Sequence, residues 1–349
     1  MLTGLQIALI FVLFLLLLLF YFIYLRPRKA AIGASQSFSY DFALPNAVLA
    51  KGKRIMIFAP HQDDEVLMCA GVITHAVTNG ADVKVAVITN GDKKGRKTGL
   101  TRIRETLKAM EYLGLHQEDI VFLGYGSTTK ESDSFMNRLC EAKTDITLVS
   151  SNVGTETYSV PEAPEYHFQK HGVHAPYNRL TLRQDLEAVI KEYNPDHIFA
   201  ASLYDTHPEH AILYRFIVAA IVSVKREYPA FSPILHEYVI HVDDGDDHWP
   251  TRERNSDPLV PFSKPTAWAA RVPLEWEKRE IFTVPLAMQK LPRSKNPKYL
   301  AISKYRSQRP AANKNYLFSY VKLDEIFWAT DFADIAVCEA LEGDNTLCR

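Results

Sequence analysis

The chain has 349 residues, 47% of them hydrophobic and 23% charged, with a formal net charge of -1. That is enough for one large α/β domain or two small ones, and it excludes a nucleic-acid binder that relies on a basic excess to neutralise phosphates. The four cysteines, Cys69, Cys140, Cys338 and Cys348, include no C-x-x-C pair, which excludes a disulfide scaffold and a zinc knuckle; Cys338 and Cys348 remain a candidate pair near the C-terminus.

In chain order, residues 5–25 read LQIALIFVLFLLLLLFYFIYL, with Gln6 the one strongly polar residue. At about 1.5 Å per residue this run can cross a hydrocarbon core of about 30 Å. No Lys or Arg precedes it, as a secretory signal peptide would require, so it reads as a permanent transmembrane helix; the alternative is a long signal peptide cut near Ala34. Arg26, Arg28 and Lys29 follow at once, and the positive-inside rule then places the body on the cytoplasmic side. Residues 1–29 therefore form the anchor and its basic flank, and residues 30–50, small and polar, a tether.

Strand-like runs follow at 53–59, 82–89, 119–124, 145–150, 197–202 and 234–241, with helical patterns at 65–79, 101–114, 180–193 and 208–227. This alternation predicts a doubly wound, mostly parallel, Rossmann-like α/β sheet over residues 51–330. Several of the runs are apolar on both faces, as strands covered by helices should be. Two stretches break the alternation, 151–179 and 242–297, and read as long loops carried on the sheet. Residues 331–349 read as a C-terminal tail.

The first body strand ends in IFAPHQDDEV, residues 57–66. Adjacent like charges repel, so Asp63, Asp64 and Glu65 beside His61 need either a cation or a proton-transfer task. Ligands of open α/β sheets bind beyond the carboxyl ends of the strands, where this segment lies. His61 and Asp64 are nitrogen and oxygen donors of the kind zinc takes, close enough for one turn to aim both at one ion. A later strand ends in FAASLYDTHPEHAI, residues 199–212. Pro208 suits a first helical turn, and His207 and His210 then share a face. Taken alone, the acidic segment equally fits a helix N-terminus favoured by the dipole, and two histidines at this spacing equally fit a surface. At the ends of two strands they together supply three protein ligands and an open position, for zinc or for ferrous iron.

PHQDDE followed by HPEH resembles the PIG-L/LmbE-like family of zinc-dependent de-N-acetylases, which carries a (P/A)HPDDE motif after the first strand and HPDH near the fifth. RIRETLKAMEYLGL, beginning at Arg102, resembles the family's R-x-x-E helix through Arg102 and Glu105. KYLAISKYRSQ, residues 298–308, resembles its C-terminal Lys-x-x-Ala-x-x-x-His-x-Ser-Gln segment. The resemblance covers roughly residues 52–330. It implies that His61, Asp64 and His210 bind zinc, that Asp63 is the general base, that His207 stabilises an oxyanion or donates a proton, and that Arg102 lines the substrate site. The implied reaction removes the N-acetyl group from an N-acetylglucosamine-type sugar or glycoconjugate, releasing acetate and an amine. There are three departures. Gln62 replaces proline with little expected consequence, Glu209 replaces aspartate and should lengthen any contact to an imidazole, and Tyr305 replaces histidine and is assigned no role.

Other segments have weaker signals. Residues 157–179 hold three histidines and three tyrosines, suited to sugar contacts or to a second metal site at His167, His171 and His174, but more simply read as a packed loop. VDDGDDH, 242–248, fits a calcium loop less well than a solvated one. TNGDKKGRKTG, 89–99, is basic and flexible but lacks Walker spacing; with the anchor it hints at an anionic, lipid-linked glycan. His236 and His241 read as structural or rim residues. Two competing functions stay open. A membrane-anchored glycosyltransferase would use Asp63 and Asp64 for an ion but leave the histidines unexplained. A non-catalytic metal- or carbohydrate-binding protein would leave Asp63 unexplained.

Overall fold

The computed structural model describes residues 43–127, 134–143, 145–150, 153–242, 249–250, 259–266, 268–308 and 316–333. In chain order the main elements are α1 (Ala43–Val48), β1 (Arg54–Ala59), α2 (Asp64–Asn79), β2 (Asp82–Thr89), α3 (Arg96–Glu111), β3 (Ile120–Tyr125), α4 (Phe135–Glu141), α5 (Tyr166–His171) and α6 (Arg179–Tyr193). There follow β4 (His197–Ala201), α7 (Pro208–Glu227), β5 (Ile234–Tyr238), α8 (Trp268–Arg271), β6 (Glu280–Thr283), α9 (Leu286–Lys290), α10 (Pro297–Ile302) and β7 (Asp324–Asp331).

Strand β1 shows how the layers arise. Its side chains alternate, so Ile55, Ile57 and Ala59 enter one hydrophobic core while Met56 and Phe58 enter another. Helices α2 and α3 cover the first face through residues such as Val66, Ile73, Ile103 and Met110. Helices α4, α6 and α7 cover the second through Phe135, Leu186, Leu213 and Phe216. Each strand of this region is apolar on both sides because both sides are dry. Helix α2 stops where Gly80 takes a left-handed conformation (φ 78°) and caps the carbonyls of Ala76 and Val77.

The sheet runs β3-β2-β1-β4-β5-β7-β6. The first five strands are parallel; β7 pairs antiparallel with β5 and with β6. Chain order reverses between β1 and β4, so the crevice outside their carboxyl ends is a topological switch point. The HQDDE and HPEH segments both open there.

Several expectations change. Residues 145–150 form no strand; Ile146 and Val149 are exposed, and the segment bridges only locally, with Ser150 against Gly154 and Leu148 N donating to Tyr177 O. The HPEH segment consequently follows the fourth strand. The loop expected over 242–297 contributes the antiparallel edge strand β6. The tether ends in α1, beyond which Leu49 is buried.

Among the described residues no helix is long and apolar enough to cross a membrane. The apolar run at 5–25, the acidic residues 243–248 and the Cys338–Cys348 pair lie outside the described residues.

Candidate active site

The first turn is built by its neighbours. Asp63 caps α2 in a left-handed backbone conformation, φ 111° and ψ -28°, which for a non-glycine residue costs about 1–3 kcal/mol and persists only where the surroundings impose it. They do so here. The Asp63 N–H donates to Glu65 Oε2 at 3.0 Å, and Gln62 Nε2 donates to Thr89 O at 3.0 Å. The Arg102 guanidinium donates to Gln62 O, to Gly91 O at 3.2 Å and to Asp63 Oδ1 at 3.3 Å. Gly91 has φ 54°, and any side chain there would collide with that guanidinium. The buried hydroxyl of Tyr305 donates to Glu65 Oε1. The turn leaves His61 N donating to Asp64 Oδ2 at 2.8 Å, which fixes the carboxylate beneath the imidazole.

The second turn depends on Asp205. Its Oδ1 accepts from His207 N at 2.9 Å; its Oδ2 accepts from Ile240 N at 2.7 Å and His241 N at 3.1 Å. The same Oδ2 lies 3.2 Å from His210 Nδ1, within ion-pair range. His207 is the N-cap of α7, and its Nδ1 accepts from Glu209 N at 3.3 Å. Glu209 reaches back across the crevice: its Oε2 lies 2.8 Å from His61 Nε2 and accepts from Ser127 Oγ at 2.6 Å. The longer side chain therefore does not lengthen the contact to an imidazole; it spans the gap between the two turns.

Three donor atoms converge. His61 Nδ1 and His210 Nε2 are 3.2 Å apart, His210 Nε2 and Asp64 Oδ2 3.3 Å, and His61 Nδ1 and Asp64 Oδ2 3.4 Å. Ligands about 2.0–2.1 Å from a tetrahedral zinc are separated by about 3.3–3.4 Å, so one ion fits this triangle. The outward nitrogens agree. Glu209 holds His61 Nε2 and Asp205 faces His210 Nδ1, so each carboxylate directs the other ring nitrogen into the triangle. His207 forms a looser set with His61 and His210, all within 4.8 Å, but its Nδ1 is occupied by the cap. Asp63 stands outside the triangle.

Electrostatics separates the two aspartates. Burial alone would raise the Asp64 carboxyl, yet His210 and His61 beside it hold it well below the usual carboxylate range. Burial raises Asp63 to about 7 against the pull of Arg102, and raises Glu65 to about 8. Burial, reinforced by the neighbouring imidazoles, pushes His207 well below the ordinary histidine value.

A cavity of about 440 Å³ opens on this cluster and is lined by His61, Asp63, Asp64, Arg102 and His207. His210 lies fully buried behind them. It is lined further by Lys93, Lys94 and Thr98 from the basic segment and by His241, Ser307, Gln308, Tyr316 and Leu317. Arg102 thus borders the cavity, but much of its guanidinium is engaged in holding the Asp63 turn. Sequence reasoning missed Asp205, Ser127, Glu65, Tyr305 and the cavity-facing position of His241. Asp205 had a local signal, an aspartate two residues before a helix N-cap, where it can accept the cap's N–H, while Glu65 and Tyr305 stood inside the motifs without an assigned role. The 157–179 segment is packed only in part, with residues 168–173 exposed. Tyr158 and Tyr177 are buried, and His167 and His174 pair with different carboxylates, Asp185 and Glu165, with no shared ion position.

Residues 56–221 match the family model PIG-L, described as GlcNAc-PI de-N-acetylase. Comparison with curated proteins gives no significant match. Among solved structures, the N,N'-diacetylchitobiose deacetylase from Pyrococcus horikoshii is 16% identical, with 83% of this chain and 87% of that one covered and a TM-score of 0.45. A deacetylase of the teicoplanin biosynthesis pathway is 15% identical, with 79% and 97% covered and a TM-score of 0.43. GalB, the 4-carboxy-2-hydroxymuconate hydratase from Pseudomonas putida, is 12% identical, with 80% and 95% covered and a TM-score of 0.38. Likeness at this level carries no residue role. The family match spans both site turns and the Arg102–Glu105 helix, and over residues 56–221 the chain is similar to the PIG-L family.

Proposed function

We propose that this chain is a zinc-dependent deacetylase that removes the acetyl group from an N-acetylglucosamine-type sugar or glycoconjugate and is held at a membrane by its N-terminal apolar run. The observation that carries the reading is the triangle of His61 Nδ1, Asp64 Oδ2 and His210 Nε2, with edges of 3.2–3.4 Å, beside a cavity that also exposes a carboxylate outside the triangle. The family description supports an N-acetylglucosamine-linked substrate.

His61, Asp64 and His210 would hold a divalent ion, which when bound would supply Lewis acidity toward the acetamide carbonyl and acidify a water. Asp63 takes the proton of the attacking water on its carboxylate and returns it to the departing amine, so that amide and water become acetic acid and amine, which ionise in water to acetate and ammonium. Arg102, 3.3 Å from Asp63 Oδ1, aims that carboxylate and borders the substrate. His207 accepts at Nδ1 from Glu209 N, so its neutral ring carries its proton at Nε2 and can donate to the carbonyl oxygen as charge builds there. The same two histidines and one carboxylate also suit ferrous iron.

The anchor reading rests on residues 5–25. Two observations bear on the side the body faces. The basic flank favours the cytoplasm, whereas the disulfide at Cys140 favours an oxidising compartment. Protease protection of the body in sealed vesicles decides between them.

Acetate release tests the proposed reaction. The full chain in detergent should release acetate from N-acetylglucosaminyl lipids or oligosaccharides, lose that activity with a chelator and regain it with zinc. Turnover indifferent to the chelator, or hydrolysis of an activated sugar nucleotide in its place, overturns the reading.

A further inference from the structure

Beyond β5 the chain continues through Val239, Ile240, His241 and Val242, with a bend at Ile240. Of these four only His241 is not buried, and its side chain lines the cavity. The backbone at this point is fixed from both sides. Ile240 N and His241 N both donate to Asp205 Oδ2, at 2.7 and 3.1 Å, and His241 O accepts from Thr206 N at 3.0 Å. Ile240 O accepts from the Tyr320 hydroxyl at 2.7 Å, and that hydroxyl lies 2.9 Å from the hydroxyl of Tyr316. Because Tyr320 gives its proton to Ile240 O, Tyr316 is the donor to Tyr320. The Tyr316 ring stacks behind the imidazole, with centroids 6.5 Å apart and planes 22° apart. The His241 ring centroid is 5.4 Å from that of His207 and 5.2 Å from that of His210.

One carboxylate, Asp205, therefore sets His207, His210 and His241 in a common register. An exposed rim histidine needs no such brace; a side chain that must meet a reacting group does. Two further lining residues bond to their neighbours. Ser307 Oγ donates to Glu105 Oε2 at 2.6 Å, and Gln308 Nε2 to Ser307 Oγ at 2.8 Å. His241, Ser307, Gln308, Tyr316 and Leu317 all lie beyond residue 221, where the family match ends.

We propose that His241 contacts the substrate, hydrogen-bonding the acetylated sugar at or beside its scissile amide. This rests on the deacetylase reading. It assigns to the C-terminal half of the chain a direct part in substrate recognition. The competing role is metal ligation, since ligand atoms of Asp205, His210 and His241 also lie within 4.8 Å of one another.

The experiment measures kcat, KM and bound zinc on the full chain for wild type, His241→Phe and His241→Gln. Both variants should keep the wild-type zinc content. His241→Phe should lose at least about ten-fold in kcat/KM, the scale of one lost polar contact to substrate, and His241→Gln, which retains a donor, should recover part of it. Wild-type kcat/KM in His241→Phe overturns the inference, and so does zinc loss in both variants, which makes His241 a ligand. No acetate release from wild type sinks the deacetylase reading and this inference with it; His241→Phe matching an active wild type sinks this inference alone. If His241→Phe does not fold, His241→Gln decides: unchanged kcat and KM count against the contact, and a rise in KM or a fall in kcat at full zinc counts for it.

Discussion

Glu209 stands where the resemblance expects aspartate, and its extra methylene carries Oε2 to within 2.8 Å of His61 Nε2. Glu209→Asp, although it restores the family residue, should therefore weaken zinc binding by about 10–100-fold, the usual effect of removing a carboxylate behind a ligating histidine. Competition with a chromogenic chelator measures this, and unchanged affinity removes Glu209 from the metal's support. Asp63 supports the chemistry differently. Asp63→Asn should lower kcat by about 10²–10⁴-fold, the range for a lost general base, with zinc retained; a variant with full activity removes Asp63 as the base. Tyr305 was given no role from sequence because it departs from the family's histidine. The fold buries it completely against Glu65, whose other oxygen holds the Asp63 N–H. Tyr305→Phe should destabilise the chain by about 1–3 kcal/mol by leaving a buried acceptor without its donor, and urea unfolding reads the change.

At the scale of elements, what the sequence revealed is what period and composition can carry. β1, β2 and the helix following each were legible because apolar, β-branched runs ending in a turn have few alternatives. The two site turns were legible because adjacent acids and paired histidines are costly without a purpose. DITLVS misled because alternation is a local property, whereas a strand also needs a neighbouring strand to pair with. β7 was hidden for the opposite reason. It opens with Asp324 and Glu325, which look solvated in sequence, yet both are buried. Glu325 Oε1 pairs with Lys298 Nζ at 2.7 Å, and its two oxygens accept from Gly71 N and Val72 N in the middle of α2 at 2.8 and 2.9 Å. A Cβ on Gly71 would press within 3.0 Å of Glu325 Oε2, so the glycine is what lets the carboxylate approach the helix that carries Asp64. The C-terminal segment resembling the family's thus works by clamping α2 through Lys298 and Glu325, and by docking Ser307 on Glu105. Glu325→Ala leaves Lys298 buried without its counter-charge and should cost about 3–5 kcal/mol. A change under about 1 kcal/mol, the range of an exposed pair, would show that the clamp is solvated.

For the whole molecule, stability should depend on pH through a group far from the chemistry. His197 begins β4, with Nδ1 3.1 Å from His236 Nε2. Burial, then the neighbouring His236, lowers its pKa to about 4, against about 6.5 in an unfolded chain. Between those values the unfolded state binds more protons than the folded one, so stability falls as pH drops from about 6.5 towards 4 and this contribution levels off below. In His197→Gln the fall should be shallower over that window; an identical slope in both proteins excludes His197 as its source. The central claim concerns three atoms brought together from the ends of two strands, and bound zinc per chain tests it most directly. Wild type, Asp63→Asn and His207→Asn should each carry about one zinc, whereas His61→Ala, Asp64→Ala and His210→Ala should each lose most of it. Full zinc in His210→Ala, or its loss in Asp63→Asn, contradicts the account.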